Sequence, residues 1–235
     1  MRRNPFLALA CGAAFLLGAA PAAAGTLQVN PVLVEINAGR RTATVTVRNE
    51  ESTPVTIRAY PMAWQQADGE DRYEESSAVI VSPPIFTIPP GGSQLVRVGL
   101  RARSAEPQAY RLIIEEVPEA SPGGGIRVAL RLNLPFYSMI PPGSASDLAW
   151  SAARQSDGEW TLEAVNSGSG YVRLDAAAAQ SATGIAFEDQ LHFGTVLPGA
   201  TRRWRIGREP TVRDRARFEQ LNGAHRRDSA AAGRD

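Results

Sequence analysis

Short runs of alternating apolar and polar residues, separated by turn residues, constrain this chain more than any other feature of its sequence. In residues 42–48, for example, threonine alternates with alanine or valine before Arg48. Alternation with a period of two places successive side chains on opposite faces of a β-strand. About seven such runs, roughly ten residues apart, precede residue 137, and this spacing is typical of an immunoglobulin-like sandwich.

Shorter strand-like runs continue after the paired prolines Pro141 and Pro142, which stiffen a connection and cannot continue a sheet. The 21 glycines and 17 prolines along the chain argue against a helical bundle. We therefore predict an all-β protein of two immunoglobulin-like β-sandwich domains joined by a short Pro-containing linker. The predicted divisions are an N-terminal domain at residues 25–138, a linker at 139–143, a C-terminal domain at 144–227 and a disordered tail at 228–235. Residues 211–221 are expected to contain a last, weak strand.

The first 24 residues have the three parts of a secretory signal peptide. Arg2 and Arg3 precede an apolar stretch at residues 6–20, and three alanines at 22–24 form a small-residue cleavage pattern. A membrane anchor is the alternative, but the stretch is short for a span of about 20 residues and no stop-transfer pattern follows. We expect cleavage and export, which would leave the mature chain without cysteine because Cys11 lies in the removed segment.

Residues 126–134 form the most regular two-faced run of the chain. Every even position is a large aliphatic residue and every odd position is arginine, alanine or asparagine. The aliphatic residues are Ile126, Val128, Leu130, Leu132 and Leu134. Two interpretations stay open: the row faces its own core, or it lies at a sheet edge and is lent to another protein. Exposed aliphatic edges are normally avoided because they invite uncontrolled pairing. We expect Pro135 to end this strand.

Arg111 stands near the start of a run, residues 110–118, that is apolar on both faces, as expected of an interior strand. It either pairs with Glu115 or Glu116 at the surface or lines a cleft between the domains and binds a carboxylate. A planar, permanently charged guanidinium suits the second role. Arg131, on the polar face of the aliphatic strand, is the other candidate for this contact.

The inventory of reactive side chains argues against an enzyme. The chain has two histidines, His192 and His225, and no cysteine outside the signal segment. We find no Gly-x-Ser-x-Gly motif and no phosphate-binding loop before a helix. The formal net charge of +1 gives no basis for nucleic-acid binding. No cofactor, no metal and no small-molecule substrate is therefore predicted.

The order and spacing of several short motifs carry a family resemblance. The motifs are residues 29–32, 44–49, 82–84, 88–92, 95–98, 109–112, 116–118, 130–136, 166–168 and 196–199. Together they resemble the periplasmic chaperones of chaperone-usher pilus assembly, and the archaic branch above all. The resemblance implies a boomerang of two domains that lends the last strand of its first domain to pilus or fimbrial subunits, a mode of strand addition. It also implies a periplasmic location and delivery of subunits to an outer-membrane usher.

The better-known branch of that family holds the subunit's terminal carboxylate with an arginine on the first strand and a lysine on the donor strand. Here Leu33 occupies the first-strand position, and the chain contains no lysine. The archaic branch, which this chain resembles most, carries a basic residue on the strand that precedes the donor strand, and this residue corresponds to Arg111. Arg131 matches a recurrent basic position within the donor strand of that branch. The alternative is an exported structural or adhesive two-domain protein, which should bury the aliphatic row in itself.

Overall fold

The computed structural model describes residues 27–102, 108–118, 129–174, 183, 194–206 and 208–220. The predicted signal peptide at 1–24 and tail at 228–235 lie outside the described residues, as do Ile126 and Val128 of the aliphatic row. Within the described ranges the chain forms fifteen β-strands and a short helix, so the all-β prediction is confirmed. No helix in these ranges is long and apolar enough to span a membrane.

Ten strands build the first sandwich. In chain order they are β1 (Leu27–Asn30), β2 (Val34–Asn37), β3 (Thr42–Asn49), β4 (Val55–Ala67), β5 (Glu70–Glu75), β6 (Val79–Ser82), β7 (Ile85–Ile88), β8 (Ser93–Leu100), β9 (Gln108–Glu116) and β10 (Arg131–Ile140). The first sheet has the order β1-β3-β8-β6, and the second has the order β2-β10-β9-β4-β5 with β7 beside β4.

The period-two pattern of the sequence is the physical reason for this sandwich. One side chain in two on each central strand points into a shared core, where Val45, Val47, Ile57, Leu112 and Phe136 are fully buried. Burial of each such side chain contributes roughly 1.5–3 kcal/mol before the entropy of ordering is subtracted. The face of the second sheet that points away from this core is called the outer face below, and it carries both candidate arginines.

Five strands and a helix form the second domain. The strands are β11 (Leu148–Arg154), β12 (Trp160–Asn166), β13 (Val172–Arg173), β14 (Thr195–Val196) and β15 (Thr201–Ile206). β11, β12 and β15 make one antiparallel sheet, and β13 pairs with β14. Their core includes Trp150, Leu162, Trp204 and Phe218.

The weak strand expected at residues 211–221 is wrong, because residues 212–220 form a helix. Thr211 and Asp214 cap its first turn reciprocally: the Thr211 amide donates to Asp214 Oδ2 at 2.8 Å, and the Asp214 amide donates to Thr211 Oγ1 at 3.2 Å. The Arg208 guanidinium, which bonds the same carboxylate, lowers the pKa of Asp214 to about 2. Helical spacing also carries Phe218 into the core of the second domain.

The strand that carries the aliphatic row does not end at Pro135, as expected, but continues as β10 to Ile140. The Glu116 amide donates to the Leu130 carbonyl at 2.9 Å, so the even residues of β10 are those that exchange hydrogen bonds with β9. The nitrogen of Pro135 therefore points away from β9, and its missing N–H removes no bond from that ladder. β10 also includes Met139 and Ile140 of the predicted linker, whose bounds stay a prediction.

Candidate functional site

Half of β10 is an open sheet edge. β9 pairs with β10 from Arg131 to Ser138, whereas β2, on the other side, pairs with it only from Phe136 onward. Among the described residues, no strand covers the first half of β10, residues 131–135, on this side. Because the even residues bond to β9, the N–H and C=O groups of Arg131 and Asn133 point towards the uncovered side. This uncovered stretch is called the open edge below.

The leucines beside the open edge differ in how much of each side chain remains exposed. Leu130 and Leu132 are partly buried against the core of the first sandwich. Leu134 is only 6% exposed and belongs to that core. Of the three described members of the row, Leu130 and Leu132 therefore have surface left to offer a partner, whereas Leu134 already supports its own domain.

Arg131 lies on the outer face within a network of charged and phenolic groups. Its Nη2 donates to the Tyr60 hydroxyl at 3.1 Å, and its Nε lies 3.5 Å from Glu115 Oε2. Tyr60 in turn donates to Glu115 at 3.0 Å, and Arg58 donates to the other oxygen of the same carboxylate at 2.8 Å. Arg131 is thus already paired, although 57% of its side chain is exposed.

Arg111 occupies a different environment on the same face. Its guanidinium carbon lies 3.8 Å from the centre of the Trp64 ring and 5.9 Å from that of Tyr73. It forms no ion pair with a carboxylate of the described residues, and its Nε is buried without a hydrogen-bond partner. The predicted surface pair with Glu115 or Glu116 is not formed: four positions along β9 separate Arg111 from Glu115 by roughly 13 Å, and Glu115 pairs with Arg58 and Arg131 instead.

Aromatic rings and burial set the electrostatics around Arg111. Burial raises the pKa of Tyr73, and the Arg111 guanidinium partly offsets this shift. A cation over a ring face is attracted by the ring quadrupole, by about 0.5 to 2 kcal/mol depending on exposure. The ring contacts therefore hold the guanidinium, while its Nε has no hydrogen-bond partner among the described residues.

The two domains meet beside Trp64. Gln66 spans the junction, since its Nε2 donates to the Thr195 carbonyl at 2.7 Å and its Oε1 accepts from the Leu197 amide at 2.9 Å. The Tyr137 and Thr195 hydroxyls also form a hydrogen bond, of 2.9 Å. Trp64, Tyr137 and Leu197 are buried together in one apolar cluster. These contacts fix the second domain against the end of β4, close to Arg111.

A cavity of about 480 Å³ opens at this junction. The described residues that line it include Trp64, Tyr137 and Tyr171 and no charged side chain. Tyr137 and Tyr171 stack with ring centres 3.6 Å apart. Burial raises the pKa of both tyrosines, and the hydrogen bond from Tyr171 to the Glu35 carboxylate raises that of Tyr171 further. Both hydroxyls are therefore neutral hydrogen-bonding groups at physiological pH.

Sequence reasoning placed Arg111 on an interior strand but missed the aromatic platform beneath it. Trp64 lies on β4, three residues beyond Pro61, and only the register of β4 against β9 brings it next to Arg111. Residues at even positions of β4 share one face of the strand, so counting from Arg58 could have indicated that Trp64 lies on the outer face. Among the described residues, no three histidine, cysteine, aspartate or glutamate side chains are grouped as a metal site would require.

Residues 26–141 match the family of pili and flagellar-assembly chaperones, in the part known as the PapD N-terminal domain. Residues 26–141 thus form a domain of that chaperone family. The matched segment contains the first sandwich, the open edge and both candidate arginines. Its members are assembly chaperones rather than enzymes. A sequence search of curated proteins finds no match.

Solved structures of similar fold are also chaperones or chaperone complexes. The CsuC–CsuE chaperone–tip adhesion subunit pre-assembly complex, from archaic chaperone-usher Csu pili of Acinetobacter baumannii, aligns with a TM-score of 0.66 and 23% identity over 79% of this chain and 89% of that chain. The Salmonella enterica SafA pilin in complex with the SafB chaperone aligns with a TM-score of 0.57 and 16% identity, over 77% of this chain and 84% of that chain. The E. coli chaperone DraB aligns with a TM-score of 0.55 and 15% identity, over 79% of this chain and 88% of that chain. At these identities the likeness shows the shared fold.

Proposed function

We propose that this pilus-assembly chaperone works in the periplasm and binds subunits that lack one strand of their own sandwich. The open edge of β10 pairs with the subunit backbone, the aliphatic row enters the subunit's core groove, and the complex is delivered to an outer-membrane usher. The observation that carries the proposal is the uncovered side of residues 131–135, next to two leucines that are only partly buried. Strand addition to such an edge is an established mode of recognition.

The aliphatic side chains supply most of the affinity in this proposal. Full burial of a leucine contributes roughly 1.5–3 kcal/mol before ordering costs are subtracted. Leu130 and Leu132 are partly exposed and gain by burial in a subunit, whereas Leu134 is already used in its own core. Ile126 and Val128 extend the row by sequence, and their insertion stays part of the proposal. A register shift of one residue would present arginine and asparagine to the groove instead.

Arg111 is the proposed anchor for the subunit's terminal carboxylate. Among described carboxylates it has no ion-pair partner, and its buried Nε lacks an acceptor. A hydrogen bond between charged groups contributes about 1.5–3 kcal/mol, so the anchor chiefly fixes the register of a strand that the aliphatic row holds. Arg131 stays the second candidate, but binding there competes with its contacts to Glu115 and Tyr60.

Co-expression with candidate subunits, followed by affinity purification of the chaperone, tests the donor role. Leu130→Arg should abolish recovery of subunit while the chaperone stays folded, because a guanidinium cannot enter an apolar groove without a large desolvation cost. Leu95→Arg is the matched control, since Leu95 is 47% exposed on the first sheet, away from the open edge. Equal recovery with Leu130→Arg and the control would refute the donor role.

The anchor is tested in the same purification. Arg111→Ala should lower subunit recovery, whereas Arg97→Ala, which removes an exposed arginine of the first sheet, should not. Recovery with Arg111→Ala equal to wild type would exclude Arg111 as the anchor and leave Arg131→Ala as the next variant to measure.

A further inference from the structure

Trp64 makes the closer of the two ring contacts of the Arg111 guanidinium. Trp64 lies 3.8 Å beneath it, whereas Tyr73 is more distant at 5.9 Å and partly exposed. No described carboxylate pairs with the arginine. A group that fixes the plane of the Trp64 indole therefore helps to set the direction in which Arg111 presents its N–H groups.

Asp71 holds the Trp64 ring at its edge. The indole Nε1 donates to Asp71 Oδ1 at 2.8 Å, across the β4–β5 pair. The same oxygen accepts from Gln66 Nε2 at 2.8 Å. A hydrogen bond to a carboxylate is stronger than one to a neutral acceptor, and it polarises the donor, here increasing the electron density of the ring that faces Arg111.

The second domain contributes the counter-charge of Asp71. Arg202, on β15, places its Nη1 3.3 Å from Asp71 Oδ1, and only 8% of the Arg202 side chain is exposed. Its Nη1 and Nε do not reach hydrogen-bond geometry with any described acceptor, so the ion pair with Asp71 is its principal polar contact. Asp71 Oδ1 thus accepts two hydrogen bonds, from Trp64 and Gln66, and faces Arg202 as its ion-pair partner.

We propose that Asp71, held by Arg202 of the second domain, is a positioning residue for Arg111. The carboxylate orients and polarises Trp64, Trp64 supports the Arg111 guanidinium, and the guanidinium is kept ready for the subunit carboxylate. The inference rests on the proposed anchor function of Arg111 and adds to it a dependence on the second domain. Arg111 on its own strand is then insufficient for full anchoring.

A double-mutant cycle between Asp71 and Arg111 tests this coupling, with the dissociation constant for a purified pilus subunit as the measured quantity. Asp71→Asn keeps an oxygen that accepts from Trp64 and Gln66 but removes the charge. Because the Trp64 ring stays in place and loses only the polarising charge, the substitution should weaken binding measurably and by no more than about 30-fold in the wild-type background, the limit set by complete loss of the cation–π contact. In an Arg111→Ala background, Asp71→Asn should have no further effect, because no guanidinium remains to be positioned.

Equal weakening by Asp71→Asn with and without Arg111 would overturn the positioning role, as would no weakening in the wild-type background. If Arg111→Ala alone leaves binding unchanged, the proposed anchor fails instead, so the two failures are distinguishable. Because Asp71→Asn leaves Arg202 buried without its counter-charge, the same cycle is repeated with Asp71→Asn/Arg202→Gln, which replaces the ion pair by two neutral amides. The neutral pair must give the same non-additivity for the proposal to stand.

Discussion

Replacement of Asn133 by proline should change the hydrogen-bonding capacity of the open edge without changing the stability of the fold. Asn133 is an odd residue of β10, so its N–H points away from β9 and is not covered by β2, which begins to pair at Phe136. Proline at this position removes that N–H and no ladder bond, as Pro135 already does two residues later. We expect Asn133→Pro to fold with nearly unchanged thermal stability.

The same substitution should weaken subunit binding. A subunit carbonyl that loses its donor inside the interface costs about 1–3 kcal/mol, which corresponds to roughly 5- to 150-fold in the dissociation constant. Asn133→Ala is the matched control, because it removes the same side chain and keeps the N–H. Leu132→Pro is the converse control, since the Leu132 N–H belongs to the β9 ladder and its loss should lower the melting temperature.

Titration calorimetry with a purified subunit, together with thermal unfolding of each free variant, measures both effects. Asn133→Pro and Asn133→Ala binding with equal affinity would refute the assignment of this N–H to the subunit interface. An unfolded Asn133→Pro would show instead that a segment of the chain itself uses the edge.

Two further predictions concern stability. Leu134→Ala should lower the free energy of unfolding by about 2–5 kcal/mol, as for a fully buried leucine, whereas Leu132→Ala should lower it clearly less. Urea titration measures both losses, and equal losses would contradict the different burial of the two side chains. Arg208 lowers the pKa of Asp214 to about 2, so the stabilisation from this carboxylate is present above its unfolded pKa, near 4, and is lost as the pH falls towards 2. Asp214→Asn should therefore lower the melting temperature at pH 7, and the gap to wild type should close as the pH falls through about 2. A gap independent of pH would contradict this.

The sandwich was predictable because its strands are amphipathic in the simplest way. Alternation in residues 42–48 alone indicates which of them face a core, and the structure buries Val45 and Val47 accordingly. The position of the open edge was not predictable in the same way. It depends on where β2 begins to pair with β10, and that register is decided by contacts far apart in the sequence.

The helix at residues 212–220 shows a local signal that was available and overlooked. Thr211 and Asp214 have the spacing of a capping pair, which indicates a helix start more strongly than the following residues indicate a strand. The platform under Arg111 is a different case. Trp64 and Arg111 are 47 positions apart, and nothing local in either segment relates them, because their contact arises from the pairing of β4 with β9.

Amide hydrogen exchange at single residues of β10 measures directly whether the first half of this strand is an uncovered edge that a subunit covers. In the free protein, the amides of Leu132 and Leu134, which bond to β9, should exchange slowly, while those of Arg131 and Asn133 exchange fast. On binding of a pilus subunit, the Arg131 and Asn133 amides should become protected by about two orders of magnitude or more. Exchange of these two amides at the same rate in the free and the subunit-bound protein would contradict this.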